Sequence, residues 1–145
     1  MTDCPTRDDY VYWEQVTTRW ADIDVYGHMN NARYFELIDT VINNQLVVST
    51  GVDIRALDAI GVVAEVGCRY FAEIGYPAPV DVGVVADKVG TSSVIYRVGL
   101  FQGDGDLAAA EGRFVHVYVD NTDPARPVTP MPDVIRAAVT PLLRA

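Results

Sequence analysis

The stretch Asn31-Ala32-Arg33-Tyr34-Phe35-Glu36-Leu37-Ile38-Asp39-Thr40-Val41-Ile42-Asn43-Asn44-Gln45-Leu46 decides the fold. Tyr34, Leu37, Ile38, Val41 and Ile42 recur at i, i+3, i+4, i+7 and i+8, and Leu46 carries the stripe one turn further. This is the period of an amphipathic helix of about four turns. Asn30 or Asn31 supplies the N-cap, because its short amide oxygen accepts a bond from a first-turn N–H. Glu36 and Asp39 stand off the stripe. One long helix with one apolar face needs a broad partner surface.

Downstream sequence supplies that surface. Gly61 to Ile74, Val80 to Val89, Ser93 to Phe101 and Leu107 to Val119 have strand character. Between them lie Tyr76-Pro77-Ala78-Pro79, Gly90-Thr91-Ser92 and Gln102-Gly103-Asp104-Gly105-Asp106. Each connection is short enough for an antiparallel hairpin, so the spacing predicts a meander. A parallel doubly wound sheet would need a helix in each connection. Upstream, Tyr10 to Arg19 reads as a first strand with broken alternation. Asp133 to Leu143 reads as a short helix that Pro141 distorts or stops. The first nine residues and Asp123 to Pro132 are the only loosely composed segments. The expected architecture is α+β, one antiparallel sheet around a long central helix, in a single domain over residues 1–145.

Half of the 145 residues are hydrophobic, enough for a buried core without disulfide or metal staples. A formal charge of −9 is the wrong sign for a phosphate backbone, so nucleic acid is not an expected partner. No run approaches the ~20 apolar residues of a membrane span, and the start lacks the basic and apolar order of a secretory signal. A cytoplasmic protein without membrane partners is expected. Cys4 and Cys68 have no framework or zinc-site spacing and are read as free thiols, with Cys4 in a loose N-terminus.

The chemistry concentrates just before the helix, in Trp20-Ala21-Asp22-Ile23-Asp24-Val25-Tyr26-Gly27-His28-Met29-Asn30-Asn31. Two carboxylates, an imidazole and two amides stand at a helix mouth, whose unpaired N–H groups carry partial positive charge. Such a mouth suits an oxyanion or a polarised carbonyl. A carboxylate beside it serves as nucleophile or activates water, and a histidine titrates in the range for proton transfer. These are the parts of an acyl-transfer or hydrolysis site.

This segment resembles the active-site loop of hotdog-fold thioesterases of the 4-hydroxybenzoyl-CoA thioesterase-like and YbgC-like group. The helix after it, Val62-Val63 leading to Tyr70 and Pro77, the turn Gly90-Thr91-Ser92-Ser93, and Pro130 to Arg136 before a final helix follow the same family in order. The resemblance implies a sheet wrapped around a central helix, subunits joined sheet edge to sheet edge as a homodimer or homotetramer, and active sites at the subunit interface. It also implies hydrolysis of an acyl-CoA, or of an acyl-carrier-protein thioester, to a free acid and a thiol, with no metal or redox cofactor. The family's catalytic carboxylate falls on Asp24, as nucleophile or general base, with the Asn31 backbone N–H nearest the thioester carbonyl. His28 is a candidate proton carrier, and Tyr26, Gly27, Asn30 and Asn31 are candidates for substrate binding. Plant acyl-carrier-protein thioesterases have a similar Asp-x-Asn-x-His-x-Asn-Asn segment; Tyr26 stands here in place of the asparagine.

Other residues have plainer readings. Asp22 pairs Arg19 or braces the loop, Gly27 permits an unusual backbone angle, and Asn30 and Asn31 cap the helix. His116 alternates with Phe114 and Tyr118 as a packed or solvated strand residue. Glu36 and Glu65 are spare carboxylates, and Arg33, Lys88 and Arg97 belong to an ordinary charged surface or meet CoA phosphates. Three other functions compete: a magnesium-dependent phosphoryl transferase using Asp22 and Asp24, an acyl-CoA-binding hotdog protein without hydrolysis, and a hydratase or dehydratase on the same fold. The first needs a buried parallel strand, which Gln15-Val16-Thr17-Thr18 is too polar to be.

Overall fold

The computed structural model of the protein describes residues 4–144. Met1 to Asp3, at the head of the expected loose N-terminus, and Ala145 lie outside the described residues. The central helix α1 (Asn31–Thr50) forms where the period places it and runs one turn past Leu46. Asn30 is the N-cap, its Oδ1 accepting from the Ala32 N–H at 2.9 Å. The helix stops at Gly51, whose φ of +68° is left-handed and whose N–H donates to Val47 O at 2.9 Å. All six stripe residues are buried, and Gln45 joins them.

Five strands form one antiparallel sheet: β1 (Tyr12–Val16), β2 (Ala59–Tyr70), β3 (Val80–Val89), β4 (Ser93–Gln102) and β5 (Ala110–Asp120). Their order across the sheet is β1-β3-β4-β5-β2. Leu37, Ile38, Val41 and Ile42 pack with Val82, Val84, Val98 and Phe114 of the sheet in one core. Each such side chain contributes about 2 kcal/mol by leaving water. A short helix α2 (Asp133–Val139) closes one end, and the chain then tightens into a 3₁₀ turn over Thr140–Leu142 containing Pro141, which ends the helix as expected. This is the hotdog arrangement.

The order differs from a meander at one connection. The hairpins joining β3 to β4 and β4 to β5 form, but β2 pairs with β5 rather than β3. Residues 71–79 instead run along the end of the sheet beneath the start of α1. Phe71 and Ala72 N–H donate to Ala109 O at 2.8 and 3.0 Å, and the Gln102 side chain binds Gly75 and Ala78. Nine residues reach about 30 Å when extended, ample to cross the two intervening strands at ~4.8 Å spacing. The two prolines also lack the left-handed residues that a tight hairpin turn demands. β1 is shorter than the expected Tyr10 to Arg19, and β2 starts earlier and ends earlier than Gly61 to Ile74.

The N-terminus is not loose from Cys4 onward. Ala108 N–H donates to Pro5 O at 2.9 Å, the Cys4 thiol lies 3.3 Å from Ala108 O, and Thr6 bridges Leu107. Tyr10 packs with Val85, Phe101 and Ala108 as a second cluster on the outer sheet face. β2, in contrast, is an outer strand with only β5 beside it, and its Val62, Val63 and Val66 are 38–49% exposed.

Candidate active site

Between β1 and α1 the loop is held by its own polar groups. Asp22 is buried, with a side chain 1% exposed. Its Oδ2 accepts from Arg19 N–H at 2.8 Å, and its Oδ1 accepts from the Arg19 guanidinium at 2.9 and 2.7 Å. Arg33 Nε stands 3.1 Å from the same oxygen, close enough for ionic attraction but misaligned for a hydrogen bond. Burial pushes the Asp22 carboxyl up, but the Arg19 bonds and the Arg33 charge outweigh it and hold the group below the usual carboxylate range. Asn30 N–H donates to Asp22 O at 2.7 Å, which ties this brace to the helix cap. Arg33 therefore turns inward, its side chain only 16% exposed, and is neither an open surface charge nor free to meet CoA phosphates.

Two residues later the environment opens. Asp24 Oδ1 accepts from the N–H groups of Tyr26 at 2.8 Å and His28 at 3.2 Å, whereas Oδ2 has no hydrogen-bond partner among the described residues. Asp24 N–H donates to His28 O at 2.8 Å, and Gly27 N–H to Asp24 O at 3.1 Å, closing a miniature hairpin flanked by the Ile23–Met29 bridge. Gly27, at φ +83°, sits in the left-handed region as the turn requires. Tyr26 is 81% exposed at the tip, beside Val25 at 93%. At the start of α1, Asn31 N–H has no acceptor among the described residues, and Asn31 Oδ1 accepts from the Tyr70 hydroxyl. Burial and the neighbouring Cys68 push that hydroxyl up to about 12, so it remains a protonated donor at neutral pH.

His28 reaches across to the connection after β2, its Nε2 2.9 Å from Glu73 Oε2. Met29 N–H donates to Ile74 O at 2.8 Å in the same contact. Glu73 and Tyr70 were not legible as site residues, because only the crossing of residues 71–79 under the helix mouth delivers them. The loop thus gathers Asp24, Gly27, His28, Asn30 and Asn31, whereas His116 lies elsewhere. It is buried on β5, 3% exposed. Glu36 is exposed, Glu65 pairs with Arg113, and Arg97 pairs with Asp87 and Glu111 on the outer sheet face. Cys4 and Cys68 are unpaired thiols. A cavity of about 200 Å³ opens beneath the C-terminal half of α1, with no residue of the Trp20 to Asn31 loop in its wall. Among the described residues no cluster of three or more His, Cys, Asp or Glu is arranged to hold a metal ion, and no helix is long and apolar enough to cross a membrane.

A sheet wrapped around a long central helix is an arrangement with known relatives. The sequence profile of the thioesterase-like superfamily matches residues 18–139. The chain belongs to the thioesterase-like superfamily. Membership makes it a thioester hydrolase of the hotdog fold. Among solved structures, this thioesterase is similar to the PA5185 protein from Pseudomonas aeruginosa strain PAO1, at 35% identity over 98% of each chain and a TM-score of 0.91. It is similar to the PA2801 protein of the same species at 29% identity, over 90% of this chain and 98% of that one, with a TM-score of 0.77. Slr0204, a 1,4-dihydroxy-2-naphthoyl-CoA thioesterase from Synechocystis, shares the fold at 14% identity and a TM-score of 0.79, over 89% and 95% of the two chains. Comparison with curated proteins finds no match.

Proposed function

We propose that this chain, as one hotdog domain, hydrolyses an acyl-CoA thioester, with Asp24 as the catalytic carboxylate and the mouth of α1 as the carbonyl-polarising site. One observation carries the reading: Asp24 Oδ1 is fixed by two loop N–H groups while Oδ2 is unpartnered, in the same loop that leaves Asn31 N–H without an acceptor. A thioester carbonyl oxygen accepts from Asn31 N–H, where the helix dipole stabilises the charge that develops on it. Asp24 Oδ2 attacks the carbonyl carbon or deprotonates a water that does so. The C–S bond then breaks, and the departing thiolate takes a proton. His28, oriented by Glu73, is placed to carry that proton.

Assembly completes the site in this proposal. The apolar β2 edge is open for pairing. Two β2 edges related by a two-fold axis run antiparallel, which sets the Ala59 end of one against the Tyr70 end of the other. The cavity beside Ala59 in one subunit then faces the helix mouth of its partner. Within one chain, Asn43 at the cavity lies twelve residues past Asn31, about 18 Å along the helix.

Thiol release from a panel of aliphatic and aromatic acyl-CoAs tests the reading. Asp24→Asn, at unchanged folding and oligomeric state, should lose about a thousandfold in kcat. Full activity in Asp24→Asn removes the carboxylate from the mechanism. Attack by Asp24 forms a mixed anhydride that water then opens, and single-turnover hydrolysis in ¹⁸O water identifies this route when water enters at the Asp24 carboxyl carbon, which leaves the first acid released unlabelled and the label in Asp24.

A further inference from the structure

At the start of α1 the backbone donors around Asn31 are all engaged. Asn30 N–H donates to Asp22 O at 2.7 Å, Ala32 N–H to Asn30 Oδ1 at 2.9 Å and Arg33 N–H to Asn30 O at 2.9 Å. Asn31 N–H has no acceptor among the described residues. Yet Asn31 carries a competitor for that donor in its own side chain. Asparagine side chains bond the backbone N–H of their own or neighbouring residues when nothing else holds them. Here the side-chain oxygen is held from far away in sequence: the hydroxyl of Tyr70, 39 positions on, donates to Asn31 Oδ1. Tyr70 is the last residue of β2, fixed at its backbone by pairing with Ala110. Its ring stands edge-on to the buried Tyr34 ring, with centroids 5.0 Å apart and planes at 87°. Backbone and ring are thus both anchored, and the hydroxyl is delivered to the helix mouth as a neutral donor.

We propose that Tyr70 is a positioning residue for the hydrolysis, which by tethering Asn31 Oδ1 away from the backbone keeps the Asn31 N–H vacant for the thioester carbonyl oxygen. The inference rests on the proposed role of the helix mouth and names the residue that keeps the mouth open. Tyr70 acts through Asn31 and touches no reacting atom. Without the phenol, Asn31 Oδ1 turns onto its own N–H, and a carbonyl oxygen must displace it before it can be polarised. Because charge on that oxygen grows toward the transition state, the loss falls chiefly on kcat.

Tyr70→Phe removes one oxygen and keeps the ring against Tyr34. Hydrogen exchange at the Asn31 amide, followed by NMR on ¹⁵N-labelled protein, tests the tether without any substrate. Tyr70→Phe should slow that exchange about fivefold, the worth of one net hydrogen bond. In the Asn31→Ala background, where the competing oxygen is gone, Tyr70→Phe should change exchange at position 31 by less than twofold. Thiol release should follow the same cycle: Tyr70→Phe lowers kcat about fivefold with KM within twofold, and lowers it less than twofold when Asn31→Ala is already present. Exchange unaltered by Tyr70→Phe overturns the inference, and so does a loss of kcat that is the same with and without the Asn31 side chain. Absence of thiol release from every acyl-CoA is instead a failure of the hydrolytic reading. The exchange cycle then decides alone: slowing that needs the Asn31 side chain supports the tether, and any other result overturns it.

Discussion

The two ends of α1 both carry incompletely bonded polar groups, in opposite surroundings. At the N-terminal end Asp24 Oδ2 and Asn31 N–H stand in a solvent-accessible loop without partners among the described residues. At the C-terminal half His116 lies in an apolar enclosure, 3% exposed, with its Nδ1 sealed off. The difference separates two costs. An unpaired group in an exposed loop can be solvated, whereas one sealed in an apolar enclosure bears the full cost of lost hydration.

Breaking the brace at the open end should have the largest effect on stability. Asp22→Ala leaves Arg33 without its buried counter-charge and removes the acceptor of Arg19, and should cost roughly 3–5 kcal/mol in urea unfolding. A loss under 1 kcal/mol would make Asp22 an ordinary surface residue. At the enclosed end, the pH dependence of stability sharpens the contrast. Folded His116 sits near 4 against about 6.5 when unfolded. Between these values the unfolded chain binds a proton that the folded chain does not, so stability falls as pH drops from 6.5 to 4, by about 3 kcal/mol in total. Urea midpoints from pH 7 to pH 4 should show this slope in the unmodified protein and its loss in His116→Phe. Parallel curves for the two would place a charged or solvated imidazole in the cavity. The smallest effect belongs to the stop of α1. Gly51→Ala has open space around the new Cβ but an unfavourable φ of +68°, and should cost about 1 kcal/mol with thiol release unaltered.

Legibility differed between the same two ends. The loop from Trp20 to Asn31 was readable because its groups are neighbours in sequence: an Asx turn at Asp24, a left-handed Gly27 and an Asn30 cap are made within a few residues of themselves. The stripe from Tyr34 to Leu46 was readable for the same reason, since a helix repeats locally. His116 could be read no further than as a packed or solvated strand residue. Its alternation with Phe114 and Tyr118 says which face it shares, but not that Gly61, 55 positions away, would back its ring, nor that α1 would leave a void over it. Glu73 and Tyr70 were hidden likewise, because the hairpin reading of Tyr76 to Pro79 sent the chain to the wrong neighbour.

By itself, then, the sequence determined the central helix, its cap, the composition of the loop before it and the presence of an antiparallel sheet, all properties set by short-range periodicity and turn chemistry. Tertiary structure alone decided that β2 joins β5 and leaves an open apolar edge, that Arg33 turns inward to Asp22, that Glu73 meets His28, and that an unpartnered imidazole floors a cavity. Each of these depends on which distant segments pack together. That choice is made by burial summed over the whole core, and no local pattern encodes it.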